Sequence, residues 1–254
     1  MPNTLEFADL GEAIGNATAV LRNNAASAGL AVAVPTCPGW TMHDLLAHQG
    51  MVHRWAAAKV RDAPTRHDPE VLAEAAASDD LLQWLDDGMV DLLNALAGAP
   101  DDLEVPFFLM DAPAPRQAWT RRQAHETTIH GVDAMAARLG RAPLPEELWF
   151  SPALARDGID ELLMGFTGLA HYGLTLLRPA RVSVQTDDGL GAWTVAIGPD
   201  GAVPAGGAHP DADTVLTGSA RGLYTGLWNR GDAFTTHGDP EPLRFLREQL
   251  RVAR

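Results

Sequence analysis

Glu126 and His130 stand four residues apart in RRQAHETTIHGVDAMAARL, residues 121–139, a stretch whose composition and spacing read as a helix. Residues at i and i+4 share one helix face, so a carboxylate and an imidazole there point the same way. Far upstream, His48 sits in a second amphipathic stretch, TMHDLLAHQGMVHRWAAA. If the two helices pack together, the three side chains can meet one metal ion. Two imidazoles and one carboxylate leave a coordination position open, the arrangement of a catalytic rather than a structural zinc. Spacing fixes only the Glu126/His130 half of the triad, and His48 enters through tertiary contact. Taken alone, Glu-x3-His is a weak signal, because surface pairs at i,i+4 are common. Its flanks strengthen it: Ala124, Ile129, Val132 and Ala136 imply that part of this helix is buried, where a Glu or His needs a partner or a metal.

Other residues compete for roles. His125 lies roughly 100° round the helix from Glu126 and is a candidate either to support the ligands from behind or to face substrate. His43, His48 and His53 follow one another at intervals of five, which turns successive rings roughly 140° apart and prevents all three from facing one ion. His53 stands as the substitute ligand if His48 points elsewhere. A lone histidine on a helix is more often a satisfied core or boundary residue, and in isolation that reading holds for both. Cys37, in PTCPGW, is the only cysteine, which excludes an internal disulfide and a multi-cysteine metal site. No base lies near it in sequence, so a small buried residue is expected there rather than a nucleophile. If a thiol is used, a small molecule supplies it. There is no Gly-x-Ser-x-Gly elbow, phosphate-binding loop or dinucleotide fingerprint, and the tryptophans read as packing residues.

Composition narrows the partners. The 254 residues carry 33 acidic against 19 basic side chains, a formal net charge of −14, so a phosphate backbone would be repelled over most of the surface and nucleic acid is excluded as the expected partner. A hydrophobic fraction of 46% with 20% charged residues fits a globular protein, and no run of about 18 apolar residues offers a membrane span. MPNTLEFADLGEAIG lacks a basic region followed by an apolar core, so a cytoplasmic location is expected.

The elements that must position the triad follow from periodicity. Helices are expected over 6–30, from Thr41 as N-cap with Asp44 three residues on to about Val60, over 70–96 as one element, and from Pro115 or Arg116 to Leu139. Four helices with short connections make a bundle. VPFFLM, between the third and fourth, is expected to cover one end of it or line a pocket. Beyond Pro145 the texture changes. One glycine-weakened helix is expected over 152–177, then strands in ARVSVQT, AWTVAIG and DTVLTG, a helix over 219–228, an extended AFTTHG and a final helix over 240–252. The expected fold class is therefore α+β, a helical bundle over 1–145 and a small domain with an antiparallel sheet over 146–254.

PTCPGWTMHDLLAHQGMVHRWAA and RRQAHETTIHGVDA resemble the two signature segments of the mycothiol-dependent maleylpyruvate isomerase family, whose N-terminal domain is a DinB-like metal-binding four-helix bundle. DTVLTGSARGLYTGLWNRGDAFTTHGDPEPLRFLREQL is similar to the family's smaller domain of the sterol-carrier type. The resemblance implies a divalent metal, usually zinc, on His48, Glu126 and His130, and mycothiol as cofactor or co-substrate. It implies cis–trans isomerisation of, or thiol transfer to, a small electrophile. It also implies an arginine of the second domain in catalysis, for which Arg230 is the candidate; failing that, the anion-binding role falls to another arginine, such as Arg221 or Arg122 of the first domain. In this reading the second domain closes over the metal face. The residues leave two other readings open, a hydrolase with water in the open position and a non-catalytic sensor of metal or thiol. They do not name the substrate or the oligomeric state.

Overall fold

In the computed structural model, which describes residues 5–250, the chain divides into two units. One comprises Glu6–Phe107 with Ala112–Pro143, the other Phe108–Asp111 with the chain from Leu144 onward. The FLMD tetrapeptide therefore belongs to the second unit: Met110 donates its N–H to the Gly165 carbonyl (3.2 Å).

The first unit is helical, with α1 Phe7–Ala28, α2 Met42–Val60, α3 Asp68–Ala77, α4 Leu81–Gly98 and α5 Pro115–Leu139. Thr41 caps α2 reciprocally with Asp44. The Asp44 N–H donates to the Thr41 hydroxyl (3.3 Å) and the Thr41 N–H to the Asp44 carboxylate (2.8 Å), which satisfies end groups that have no partner within the helix. The helix expected over 70–96 is two helices. Asp80 accepts from the Gln83 N–H (3.0 Å) and Ser78 from the Asp80 N–H (3.3 Å), so side chains at 78–80 take over backbone bonding and restart the helix. Composition hides the break, because runs of good helix formers rich in alanine and leucine lie on either side of it. Helix α5 packs on α1 and α2, α2 packs on α4, and α5 is buried over almost its whole length from Ala118 to Ala137.

In the second unit, Ser151 caps α6 (Pro152–Asp160), which widens into a π-helical turn at Glu161–Phe166 and ends. The helix expected to continue to 177 gives way to irregular chain with a short 3-10 turn at Ala170–Tyr172, closed by Gly173 at φ 59°. Strands β1 Ala180–Thr186, β2 Ala192–Gly198, β3 Gly201–Gly206, β4 Thr214–Gly218 and β5 Thr235–Gly238 form one sheet in the order β3-β2-β1-β4-β5. Helix α7 (Ala220–Leu227) lies between β4 and β5 in sequence, and α8 (Glu241–Gln249) follows. The class is α+β. The sheet expected to be antiparallel is mostly so, but β1 and β4 run parallel with Val182 opposite Thr214, since β2, β3 and a crossover past β1 intervene between them. GAVPAG gave no strand signal because its glycines and Pro204 lack strand propensity. An edge position tolerates them. Among the described residues, no helix is long and apolar enough to cross a membrane.

Gly222 in α7 supports a close approach: a Cβ there would meet the Ala233 carbonyl oxygen, and the Ser219 hydroxyl caps its N–H (3.2 Å). Alanine normally improves a helix by up to about 1 kcal/mol over glycine. Here the clash with backbone reverses the sign, and Gly222→Ala is expected to cost about 1–3 kcal/mol in a urea melt. An unchanged midpoint would show that the 233 loop yields freely.

Candidate metal centre

The helix geometry of α5 puts Arg122, Glu126 and His130 on one face at successive intervals of four. Glu126 divides its carboxylate between an arginine and two histidines. Oε2 accepts from Arg122 Nη2 at 2.8 Å, while Oε1 lies 3.2 Å from His130 Nε2 and 3.7 Å from His48 Nε2 of α2. The donor atoms of His48, Glu126 and His130 lie within 4.8 Å of one another. Their side chains keep 23%, 20% and 10% exposure, so the cluster has an open side.

The turn before α2 wraps this cluster. Val34 donates its N–H to Trp40 O (2.9 Å) and Cys37 to Val34 O (3.0 Å), which brings Thr36, Cys37 and Trp40 to α5. The Trp40 ring lies 5.0 Å from the His48 ring and stacks on His130 at 6.2 Å. Asp133, fully buried, accepts from Thr36 Oγ1 (2.6 Å) and Cys37 Sγ (3.3 Å), and its Oδ2 is 3.0 Å from His130 Nδ1. That contact keeps a proton on Nδ1 and turns Nε2 toward Glu126 and His48, as a carboxylate behind a metal-binding histidine does.

The electrostatics agree with a site built for charge. Burial alone would raise the Glu126 pKa, yet the His130 and His48 rings and then the Arg122 charge hold it well below the usual carboxylate range. Burial opposes the charged form of His130, but hydrogen bonds to Asp133 and Glu126 outweigh it and push the ring up to about 9. A metal ion at these nitrogens therefore competes with protons. Two imidazole nitrogens and one carboxylate oxygen, partly open and braced by Arg122 and Asp133, fit a divalent ion such as zinc. Cys37, His130 and Asp133 also lie within 4.8 Å of one another, but they are buried and hydrogen-bonded among themselves, which makes them the support of the open site.

Some sequence candidates fall elsewhere. His125 is fully buried, and a ring with no exposed surface cannot face substrate as expected. His53, the substitute ligand, is buried against Gln49 and Thr127, 2.8 and 3.0 Å from its Nε2, and lies outside the cluster. Arg122 is buried on Glu126 rather than available to an anion, and Arg221 donates Nε to Phe150 O (2.6 Å). Arg230, half-buried in the second unit, donates Nη1 to Trp228 O (2.7 Å). Asp133 and Trp40 were not read as site residues. The i,i+3 spacing of His130 and Asp133 carried a usable signal, whereas the approach of Trp40 depends on the path of the turn.

His53 makes a testable contribution to acid sensitivity. Burial, then the charge of Arg54, lowers its pKa from 6.5 to about 3. Between those values the unfolded chain binds the proton and the folded chain does not. The stability present above pH 6.5 is therefore lost as pH falls, by up to about 1.4 kcal/mol per pH unit. Urea melts at pH 7, 6 and 5 are expected to show a shallower decline for His53→Gln than for the parent. Parallel declines would place the acid sensitivity on other groups.

Fold and cluster together define an α+β protein whose helical unit carries a candidate metal centre. Residues 12–135, most of the helical unit, match the sequence profile of the mycothiol maleylpyruvate isomerase N-terminal domain. The crystal structure of the mycothiol-dependent maleylpyruvate isomerase is similar to this chain at TM-score 0.61 and 15% identity, over 91% of this chain and 93% of that one. A histidine-to-alanine mutant of the same enzyme gives the same values. At that identity the likeness establishes the fold. No curated protein sequence matches the chain.

Proposed function

We propose that the chain is an enzyme that holds a divalent metal, zinc by its donor set, on His48, Glu126 and His130. In this reading it uses mycothiol in the cytoplasm for cis–trans isomerisation of, or thiol transfer to, a small electrophile. The observation that carries the reading is the convergence of three metal-ligand side chains on a partly exposed face, inside a domain whose family is named for mycothiol and maleylpyruvate. A divalent ion lowers the pKa of a thiol bound to it, and a thiolate added reversibly to a cis double bond lets that bond rotate. The chain's own residues prepare the site. Arg122 fixes the Glu126 carboxylate, Asp133 fixes the His130 ring, and Trp40 covers the two imidazoles from one side. Cys37 gives its S–H to Asp133 in the interior, consistent with an exogenous thiol.

The test is metal analysis followed by titration of the cobalt-substituted protein with mycothiol, with turnover of maleylpyruvate assayed in parallel. A sulfur-to-cobalt charge-transfer band and thiol-dependent turnover of an electrophile support the proposal. A metal-loaded protein that shows neither overturns it, and thiol-independent hydrolysis would assign the open position to water.

Arg230 is proposed to hold a substrate carboxylate, a role the family resemblance implies for an arginine of the second unit. Arg230→Ala is then expected to lower kcat/KM about 10- to 100-fold at unchanged metal content, the effect of losing one charge-assisted contact. Arg230→Lys is expected to recover only part of it, since an ammonium lacks the planar two-point grip. Unchanged kinetics in Arg230→Ala would leave the residue as a clasp on the Trp228 carbonyl.

A further inference from the structure

We infer that a second pocket in the helical unit, formed by α2, α3, the 61–67 connection and α4, binds a small organic carboxylate with an apolar body. The pocket encloses about 320 Å³, near the lower end of the range for small-molecule sites. Met51, Trp55, Ala58 and Val71 supply apolar wall, and Arg54, Arg61 and Arg66 line it together with Asp68 and Asp91. In a chain of net charge −14, three of the arginines converge on this one concavity.

The arginines are not equivalent. Arg61 is paired with Asp91 through two hydrogen bonds (3.0 and 2.7 Å), and Arg66 with Glu74 (2.9 and 2.6 Å). Arg54 has no carboxylate partner among the described residues. Its Nη1 donates to Gly50 O (2.9 Å), its Nη2 to Trp84 O (2.7 Å), and its guanidinium lies 3.8 Å over the Trp84 ring. Two glycines make room for this arrangement. A Cβ at Gly88 would meet Arg54 Nη1, and one at Gly50 would meet the Trp84 ring. The cation is thus held in place by two carbonyl oxygens and a ring face, and it is half-buried. Its burial works against its charge more strongly than the attraction of Asp87, Asp91 and Glu74 works for it. A buried charge gains most from an opposite charge, and guanidinium matches carboxylate in a planar, two-point contact. Trp55 and Met51 would cover the apolar body of such a ligand. The residues that line this pocket are distinct from the metal ligands, so the inference stands without the proposed activity.

The experiment is a titration of the metal-loaded, 15N-labelled protein with benzoate and, separately, with the neutral isostere benzamide, followed by heteronuclear NMR. Benzoate is expected to shift the Trp55 indole and the Arg54 Nε signals, with benzamide at least tenfold weaker. Arg54→Met, which keeps an apolar stem, is expected to raise the benzoate Kd at least tenfold. Ala58→Leu, which narrows the pocket and leaves every Arg54 hydrogen bond intact, is expected to do the same while metal content and turnover stay unchanged. Equal shifts with benzamide, shifts confined to the neighbourhood of His48 and His130, or benzoate binding unaffected by Ala58→Leu would each overturn the inference.

Discussion

Glu126→Gln is expected to reduce metal affinity more than 100-fold, because it removes a ligand, whereas losing a residue that merely supports a ligand already costs about 10–100-fold. The substitution suits the test because the Glu126 Oε2 contact with Arg122 Nη2 can persist through the amide oxygen. Glu126→Ala would in addition remove the contact with Arg122, only 4% exposed at its side chain, and so lower stability together with metal affinity. Loss of metal and loss of fold would then be confounded. His48→Ala and His130→Ala are expected to lose metal as well, since three protein ligands leave little redundancy. Metal bound to the folded state stabilises it by about 2.7 kcal/mol at a free concentration 100 times Kd, so all three variants should lose the gain in Tm that added zinc gives the parent. Metal analysis after dialysis and paired melts with and without zinc make the measurement. Stoichiometric metal in all three variants would remove the site from the cluster. Full loss in His53→Ala with retention in His48→Ala would restore the alternative ligand that burial argues against.

The legible part of this site is the part encoded within one helix. Glu126 and His130 could be paired from spacing alone, and Arg122 lies at the same interval before them. His48 required α2 and α5 to pack, which amphipathicity suggested without fixing the contact. Thr36, Cys37 and Trp40 were illegible as site residues, because the hydrogen bonds that fold VPTCPGW back onto α5 follow no periodic pattern. His125 stayed open between supporting the ligands and facing substrate for a related reason. Periodicity assigns a helix one inner face, and α5 is enclosed on nearly all sides, so its inward and outward positions cannot be separated by angle. The fold shows the same limit. The Thr41–Asp44 box was readable, but the break at 78–80 lay between two runs of good helix formers. The parallel pairing of β1 with β4 depends on a crossover that no local signal records.

Asp133 is the residue whose loss should separate support of the centre from membership in it. Its carboxylate accepts from Thr36, Cys37 and His130, three groups brought together from a turn and a helix, and the side chain has no exposed surface. Asp133→Asn keeps the volume and one acceptor oxygen but removes the charge that favours Nδ1–H on His130. Metal affinity, measured by chelator competition, is expected to fall about 10–100-fold with the ligands themselves intact. Asp133→Ala should add a stability loss of about 1–3 kcal/mol for each buried donor left without an acceptor. Cys37→Ser exchanges an S–H donor for an O–H donor to the same oxygen and is expected to retain metal and turnover. Abolished turnover in a folded, metal-loaded Cys37→Ser protein would instead make the thiol itself reactive. If Asp133→Asn lowered Tm while its metal Kd stayed at the parent's value, the carboxylate would be a clasp between the 34–40 turn and α5, and the orientation of His130 would rest on Glu126 and Trp40 alone.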